Sequence, residues 1–315
     1  MGRSIYVAPA IFNCSFPDTG NAEALLDYGS SDQVERYARP LLEGDVRSCF
    51  ALTEPDAASS DPTNSSTRAT LDGDEWVPDG HKWWISGAMG ASYALVMAVT
   101  DPDAPPHARA SMLIVPVDSE GFEVVRALPV MGHSAGYGHC ELRFDSVRVP
   151  RDSLLGARGE GFPIAQARLG PGRIHHCMRA IGTAERAFEL MCMRAGERVT
   201  RGERLADKQM VQDFVALSRI EIDAARLAVL HAAWTIDTVG KNAARQQISQ
   251  IKVQVAHMQQ AVVDRAIQVH GALGLSEDTP LAGMWRIARA LRFGDGPDEV
   301  HKVVIARREL ARFAA

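Results

Sequence analysis

Five stretches of this chain place chemically capable side chains beside residues that control the backbone. In Phe293-Gly-Asp-Gly-Pro-Asp-Glu-Val-His, Asp295 lies between two glycines, ahead of a final helix expected from about Glu299 to Phe313. Glycine on both sides lets the backbone approach a ligand closely and presents one carboxylate; the same residues also suit an acidic helix start. In Cys49-Phe-Ala-Leu-Thr-Glu-Pro, continuing to Ser59-Ser60-Asp61, a strand ends at Thr53-Glu54-Pro55 and turns. Its amides and hydroxyls could bond the edge of a flat heteroaromatic ring, although taken alone it reads more simply as a strand and a Pro/Ser-rich loop. In Gly80-His-Lys-Trp-Trp-Ile-Ser-Gly, strand alternation puts Trp84 and Ser86 on one face. An indole beside a hydroxyl could lie along a planar cofactor, or simply fill a β core.

The fourth stretch, Glu197-Arg-Val-Thr-Arg-Gly, follows an amphipathic helix. Arg198 and Thr200 suit a phosphate through charge-assisted bonds, or a basic helix end. The fifth, Gln268-Val-His-Gly-Ala-Leu-Gly, is a helix stopped by glycine. No G-x-G-x-x-G follows a strand to open a helix. His175 and His176 are adjacent on a helix and point in different directions, without further ligands at useful spacing, so no metal site is expected.

Three zones must position these residues. Residues 1–48 carry a helical pattern clearest from Asn21 to Leu42, too little for a domain alone. Residues 49–155 alternate short apolar runs with Asp-Gly, Asp-Pro and Glu-Gly turns, which predicts a small antiparallel barrel or sandwich. Residues 156–315 carry long helical stripes, among them Ala184, Ala187, Met191 and Ala195, then Ile222, Ala225, Val229 and Ala232, then Ile248, Ile251, Val255 and Met258. They predict an antiparallel bundle of four or five helices. The fold class is thus a multidomain α+β protein.

A formal charge of −5, from 34 basic and 39 acidic residues, argues against a nucleic-acid surface. No apolar run reaches the roughly 20 residues of a membrane span. The five cysteines form no C-x-x-C pair, which fits a reducing compartment and argues against disulfides or zinc. The start lacks a secretory or transit pattern, so the expected location is cytoplasmic.

The order of the motifs is more specific than any one of them. T-E-P…S-D, W-I-S-G, V-R-V-P (Val147–Pro150), E-R-x-T-x-G, Q-V-H-G-A-x-G and G-D-G before the last helix resemble, in that succession, the acyl-CoA dehydrogenase family. Arg168-Leu-Gly-Pro-Gly-Arg-Ile-His-His-Cys and Asp295-Gly-Pro-Asp-Glu-Val-His look like a subgroup associated with long-chain and hydroxylated acyl groups. The resemblance implies FAD between the β domain and the bundle, an acyl-CoA substrate, a homodimer or homotetramer sharing the FAD site, and an electron-accepting flavoprotein as partner. It places Phe50, Leu52, Thr53, Trp84 and Ser86 at the isoalloxazine ring, and Ser59 and Ser60 at the ring edge or acyl path. Arg198, Thr200 and Gln209 would hold the diphosphate, as would Gln268, Val269, His270 and Gly271 from a neighbouring subunit. Asp295 falls at the catalytic carboxylate, with Gly296, Pro297 and Glu299 near substrate and flavin, and Arg173 near the substrate.

Two departures from the family pattern stand out. The usual base is Glu, and Asp295 is one methylene shorter; the alternative base position, before Arg173, holds Gly172. The first residues look like the last part of the family's N-terminal helical domain, most of which is missing from this sequence. Flavin oxidases of nitroalkanes use an Asp base on the same scaffold and form one alternative. A catalytically impaired or structural subunit is the other.

Overall fold

The computed structural model describes residues 2–4, 7–134 and 138–314. Helices are α1 (Val7–Ile11), α2 (Asp18–Tyr28), α3 (Ser31–Gln33), α4 (Arg39–Glu43), α5 (Gly161–Glu197), α6 (Gln209–Val239), α7 (Arg245–His270), α8 (Leu281–Leu291) and α9 (Asp298–Ala311). Strands are β1 (Ser48–Ala51), β2 (Arg68–Asp72), β3 (Glu75–Ser86), β4 (Tyr93–Val99), β5 (Ala110–Pro116), β6 (Phe122–Leu128), β7 (His139–Phe144), β8 (Val149–Pro150), β9 (Leu154–Leu155), β10 (Val199–Thr200) and β11 (Glu203–Arg204). The chain divides into two compact units, residues 10–171 and residues 1–9 with 172–315, so that α5 runs through the boundary.

The first unit is built on β4 and β5, which are apolar on both faces. Successive side chains of a strand point opposite ways. Ala94, Val96 and Ala98 of β4 join Leu113 and Val115 of β5 in one core with Trp76 and Leu142. Tyr93, Leu95 and Met97 join Met112 and Ile114 in a second core that takes in Leu25 and Leu41 from α2 and α4. The sheet is therefore covered on both sides, which accounts for the unbroken apolar run of β4.

Two expectations change here. The strand order β6-β7-β3-β2-β4-β5-β9 leaves β6 and β9 as ends among the described residues, so the sheet is open and not a barrel. Most pairing is antiparallel, but β1 joins β4 in parallel, Ser48 to Tyr93 through Ala51 to Val96. The chain reaches β1 from α4 rather than by a hairpin, and only a hairpin would force the antiparallel sense.

The second unit is the bundle. Ala184, Ala187, Met191 and Ala195 of α5, Ile222, Ala225, Val229 and Ala232 of α6, and Ile251, Val255, Met258 and Val262 of α7 share one core, each with at most 5% of its surface exposed. The helical stripes read from the sequence are the buried ones. No described helix is long and apolar enough to cross a membrane.

Candidate active site

Asp295 sits in the turn between α8 and α9, with φ of 55°, and Gly296 follows with φ of 104°. The left-handed region is costly for residues with a Cβ and open to glycine. A Cβ at Gly296 would lie 3.0 Å from His301 Nε2, so space as well as φ calls for glycine there. The Asp295 side chain is 17% exposed, and its Oδ2 lies 3.2 Å from His176 Nε2 on α5. Arg173 Nε donates to the Asp295 carbonyl oxygen at 3.0 Å. His301 Nε2 donates to the same oxygen at 3.3 Å. Lys252, fully buried on α7, donates to Leu291 O at 2.6 Å and Gly296 O at 3.4 Å. The turn is thus tied to three helices through its main chain, and His176 approaches its carboxylate.

Burial, opposed by the Asp295 carboxylate and reinforced by Arg179 and Lys252, holds His176 below the usual histidine range. His301 is pushed down to about 4 by burial, then by the charges of Arg173 and Lys252. Lys252 is lowered by burial. Pro297 caps α9 without a side-chain bond. Glu299 is exposed, whereas its neighbour Asp298 is 2% exposed. Asp298 Oδ2 accepts from Arg292 Nε at 2.8 Å and lies 2.8 Å from His257 Nε2. The acidic residue tied into the fold here is therefore Asp298, which motif matching passed over.

The other bundle residues singled out from the sequence lie on surfaces. Arg198 directly follows α5, Thr200 lies in the β10–β11 hairpin, Gln209 opens α6, and all three are exposed. At the end of α7, Gln268 is exposed, Val269 buried and His270 half-buried. Gly271 caps the helix with φ of 65°. A groove of about 380 Å³ lined by Ala228, His231, Gln250, Gln254 and Ile305 contains none of the candidate residues.

In the first unit, β3 does not keep strict alternation. A bulge between Lys82 and Ile85 puts Trp84 at φ of 56° and leaves it 44% exposed. Trp84 and Ser86 still meet, but through His139 rather than through a shared face. The Ser86 hydroxyl lies 2.8 Å from His139 Nδ1, and the Trp84 ring is 5.7 Å from the same imidazole. Thr53 donates its hydroxyl to the Trp83 carbonyl, and Trp83 N donates to Thr53 O at 3.0 Å. Ser59 Oγ accepts from Glu54 N at 3.2 Å, and Ser60 is exposed. Phe50 is half-buried under the Arg168 guanidinium, 4.1 Å from its ring centre.

Behind this rim lies a pair that the motif reading overlooked. Lys82 is 0% and Glu54 2% exposed, and Lys82 Nζ bonds Glu54 Oε1 at 2.7 Å and Leu52 O at 3.0 Å. Ser66 N and Thr67 N donate to the same carboxylate at 2.6 and 3.0 Å. Burial works to raise Glu54, but the Lys82 ammonium and these donors outweigh it and hold the carboxylate well below its ordinary range. Lys82 is pushed down to about 8 by burial, against the pull of Glu54. A lysine on the inward side of an otherwise alternating strand was the available signal.

The exposed Trp84 indole and the Ser86 hydroxyl, joined through His139, fit the face and edge of a flat heteroaromatic ring. The exposed Arg198–Thr200 hairpin fits a phosphate. The described residues hold no cluster of His, Cys, Asp and Glu fit for a metal ion, and none of the five cysteines forms a disulfide.

Residues 49–147 match the model of the acyl-CoA dehydrogenase middle domain, and residues 159–310 that of the acyl-CoA dehydrogenase C-terminal domain. The chain is 51% identical over 313 residues to Mycobacterium tuberculosis "Probable acyl-CoA dehydrogenase FadE2", covering 99% of this chain and 77% of that one. It is 50% identical over 313 residues to mouse "Acyl-CoA dehydrogenase family member 10", but spans only 29% of that longer protein. A solved structure from Mycobacterium abscessus, itself assigned to the acyl-CoA dehydrogenases, superposes with a TM-score of 0.97 at 50% identity, covering 100% of this chain and 78% of that one. The chain belongs to the acyl-CoA dehydrogenase family.

Proposed function

We propose that this chain carries out FAD-dependent α,β-dehydrogenation of an acyl-CoA, with Asp295 removing the α-proton. The observation that supports this best is the setting of Asp295: a single carboxylate on a left-handed turn, largely shielded from water and bonded by His176. A proton alpha to a thioester carbonyl is weakly acidic. The base must therefore be oriented, and the carbonyl oxygen must meet a donor as enolate character develops. The resemblance assigns that donor role to the main-chain N–H of Asp295, on the same turn as its carboxylate. FAD, when bound, supplies the acceptor for the β-hydride at N5.

In this reading Trp84, Ser86 and Thr53, with Phe50, Leu52 and Ser59, hold the flavin ring, and Arg198, Thr200 and Gln209 hold its diphosphate. Gln268, Val269, His270 and Gly271 serve a second copy's cofactor, and Pro297 and Glu299 complete the flavin side. Ser60, Arg173 and Gly296 border the acyl-CoA. Arg173 already steadies the catalytic turn through Nε. A homodimer or homotetramer is supported by α6, whose face opposite the core exposes Ile220, Leu227, Leu230 and Trp234. An electron-accepting flavoprotein would take the electrons onward.

The test is an anaerobic titration of the FAD-reconstituted protein with short, medium, long and 4-hydroxy acyl-CoAs, following flavin absorbance. Bleaching by one class is the expected outcome. Bound flavin that no acyl-CoA bleaches would sink the reading. Fast reoxidation of the bleached flavin by oxygen would favour the oxidase chemistry that an Asp base also suits.

A further inference from the structure

We infer that His176 is a positioning residue for Asp295, donating Nε2–H to one carboxylate oxygen so that the other is held as an ionised, aimed base. The inference rests on Asp295 being the base. One turn of α5 makes three approaches to this one residue. Arg173 Nε holds its carbonyl at 3.0 Å, His176 Nε2 reaches Oδ2 at 3.2 Å, and a Cβ at Gly172 would stand 3.4 Å from Oδ2. Residues three and four apart share a helix face, so Gly172 and His176 present a gap and a donor to the same carboxylate.

The tautomer follows from the other ring nitrogen. Arg179 Nη2 lies 3.3 Å from His176 Nδ1. A guanidinium only donates, so Nδ1 accepts and Nε2 carries the proton. Burial and the nearby charges of Arg179 and Lys252 keep the ring neutral against the pull of Asp295. A neutral donor on a carboxylate favours its charged form. It also persists while the second oxygen takes the α-proton, so the site need not rearrange as the reaction proceeds. Because Nδ1 faces a cationic donor, His176 cannot pass a proton through the ring; it orients and does not relay. An Asp has one rotatable bond fewer than the Glu usual at this position, and a fixed donor suits a side chain that cannot search for its substrate.

The experiment compares His176→Gln, whose amide N–H reaches where Nε2 stands, with His176→Asn, whose N–H stops at the place of Nδ1. Both are measured as FAD-loaded protein, per bound flavin. His176→Gln should reduce flavin at nearly the native rate. His176→Asn should be slower by roughly 10- to 100-fold at saturating acyl-CoA, the size of one lost hydrogen bond to a charged group, with the acidic limb of its rate profile moved to higher pH. Arg173, Cys177 and Arg179 on α5, Lys252 on α7, and Asp298 and His301 on α9 are the charged and titratable groups near this pair and are common to all variants. A readout independent of turnover is the 15N spectrum of labelled histidine in the unaltered protein. It should show the ring whose signal His176→Gln removes as an Nε2–H imidazole that stays neutral at pH 6, alongside that of His301, and Asp295→Asn should shift that His176 signal. Equal rates and profiles for the Gln and Asn variants, or an Nδ1–H ring or imidazolium at His176 near neutral pH, would overturn the pairing. Flavin reduction that survives in Asp295→Asn would instead remove the base assignment itself.

Discussion

At the scale of single residues, the proposed site turns on one carboxylate and what surrounds it. Asp295→Asn keeps the shape of the side chain and removes its basicity. It should abolish acyl-CoA-driven bleaching while leaving bound flavin at the native ratio, measured by absorbance after gel filtration. Retained bleaching would mean that another group takes the proton. A backbone turn at Asp295 was legible from its two glycines, because conformational freedom is a local property that residue types report. Its surroundings were not. The sequence showed only two flanking glycines and a following helix, whereas His176, Arg173, Lys252 and His301 all approach the turn that carries it. Periodicity says which face of a helix a histidine occupies, but not which distant turn that face will meet. His176 was therefore visible only as half of an adjacent His pair with no metal partners.

At the scale of elements, β3 shows both the reach and the limit of alternation. Trp76, Pro78 and Lys82 are buried as alternation requires, until the bulge before Ile85 resets the register. Beyond it the sharing of a face by Trp84 and Ser86 could not be derived, because an inserted residue leaves no mark in a period-two pattern. Lys82 on the inward face then needs a partner, and Glu54 supplies it while gathering Ser65, Ser66 and Thr67 behind the rim. Lys82→Met should leave a buried carboxylate unpaired and cost about 3–5 kcal/mol, whereas Glu54→Gln with Lys82→Met should recover much of that. Urea midpoints with unchanged slopes would measure both. A single variant as stable as the native protein would mean that water reaches the pair.

At the scale of the whole molecule, the division into a β-rich and a helical part was legible because the two periods differ. Closure of the sheet was not, since it depends on which edges meet rather than on any strand's own pattern. Two further properties belong to this scale. The first is acid lability. His301 is 2% exposed and is pushed from 6.5 to about 4, chiefly by burial. Above pH 6.5 it is neutral folded or unfolded and costs nothing. As pH falls from 6.5 to 4, the unfolded chain takes up a proton that the folded chain resists, so stability drops by up to about 3 kcal/mol. His176, lowered in the same direction, adds to the loss. Urea midpoints for His301→Leu should show a flatter slope over that window, whatever the offset at pH 7; an unchanged slope would assign the lability elsewhere. The second is the proposed assembly. On α6, Ile222, Ala225, Val229 and Ala232 are buried, while Ile220, Leu227, Leu230 and Trp234 on the opposite side are 65, 67, 51 and 59% exposed. A surface helix normally carries a polar outer face, and a continuous apolar patch marks a surface made to be covered. Leu227→Glu with Trp234→Glu places two charges on that face without touching the bundle core. If a second copy covers it, light scattering after gel filtration should show the mass falling by at least half at low micromolar concentration, with helical content unchanged. A mass equal to that of the unaltered protein would mean that the outer face of α6 lies outside the contact between copies.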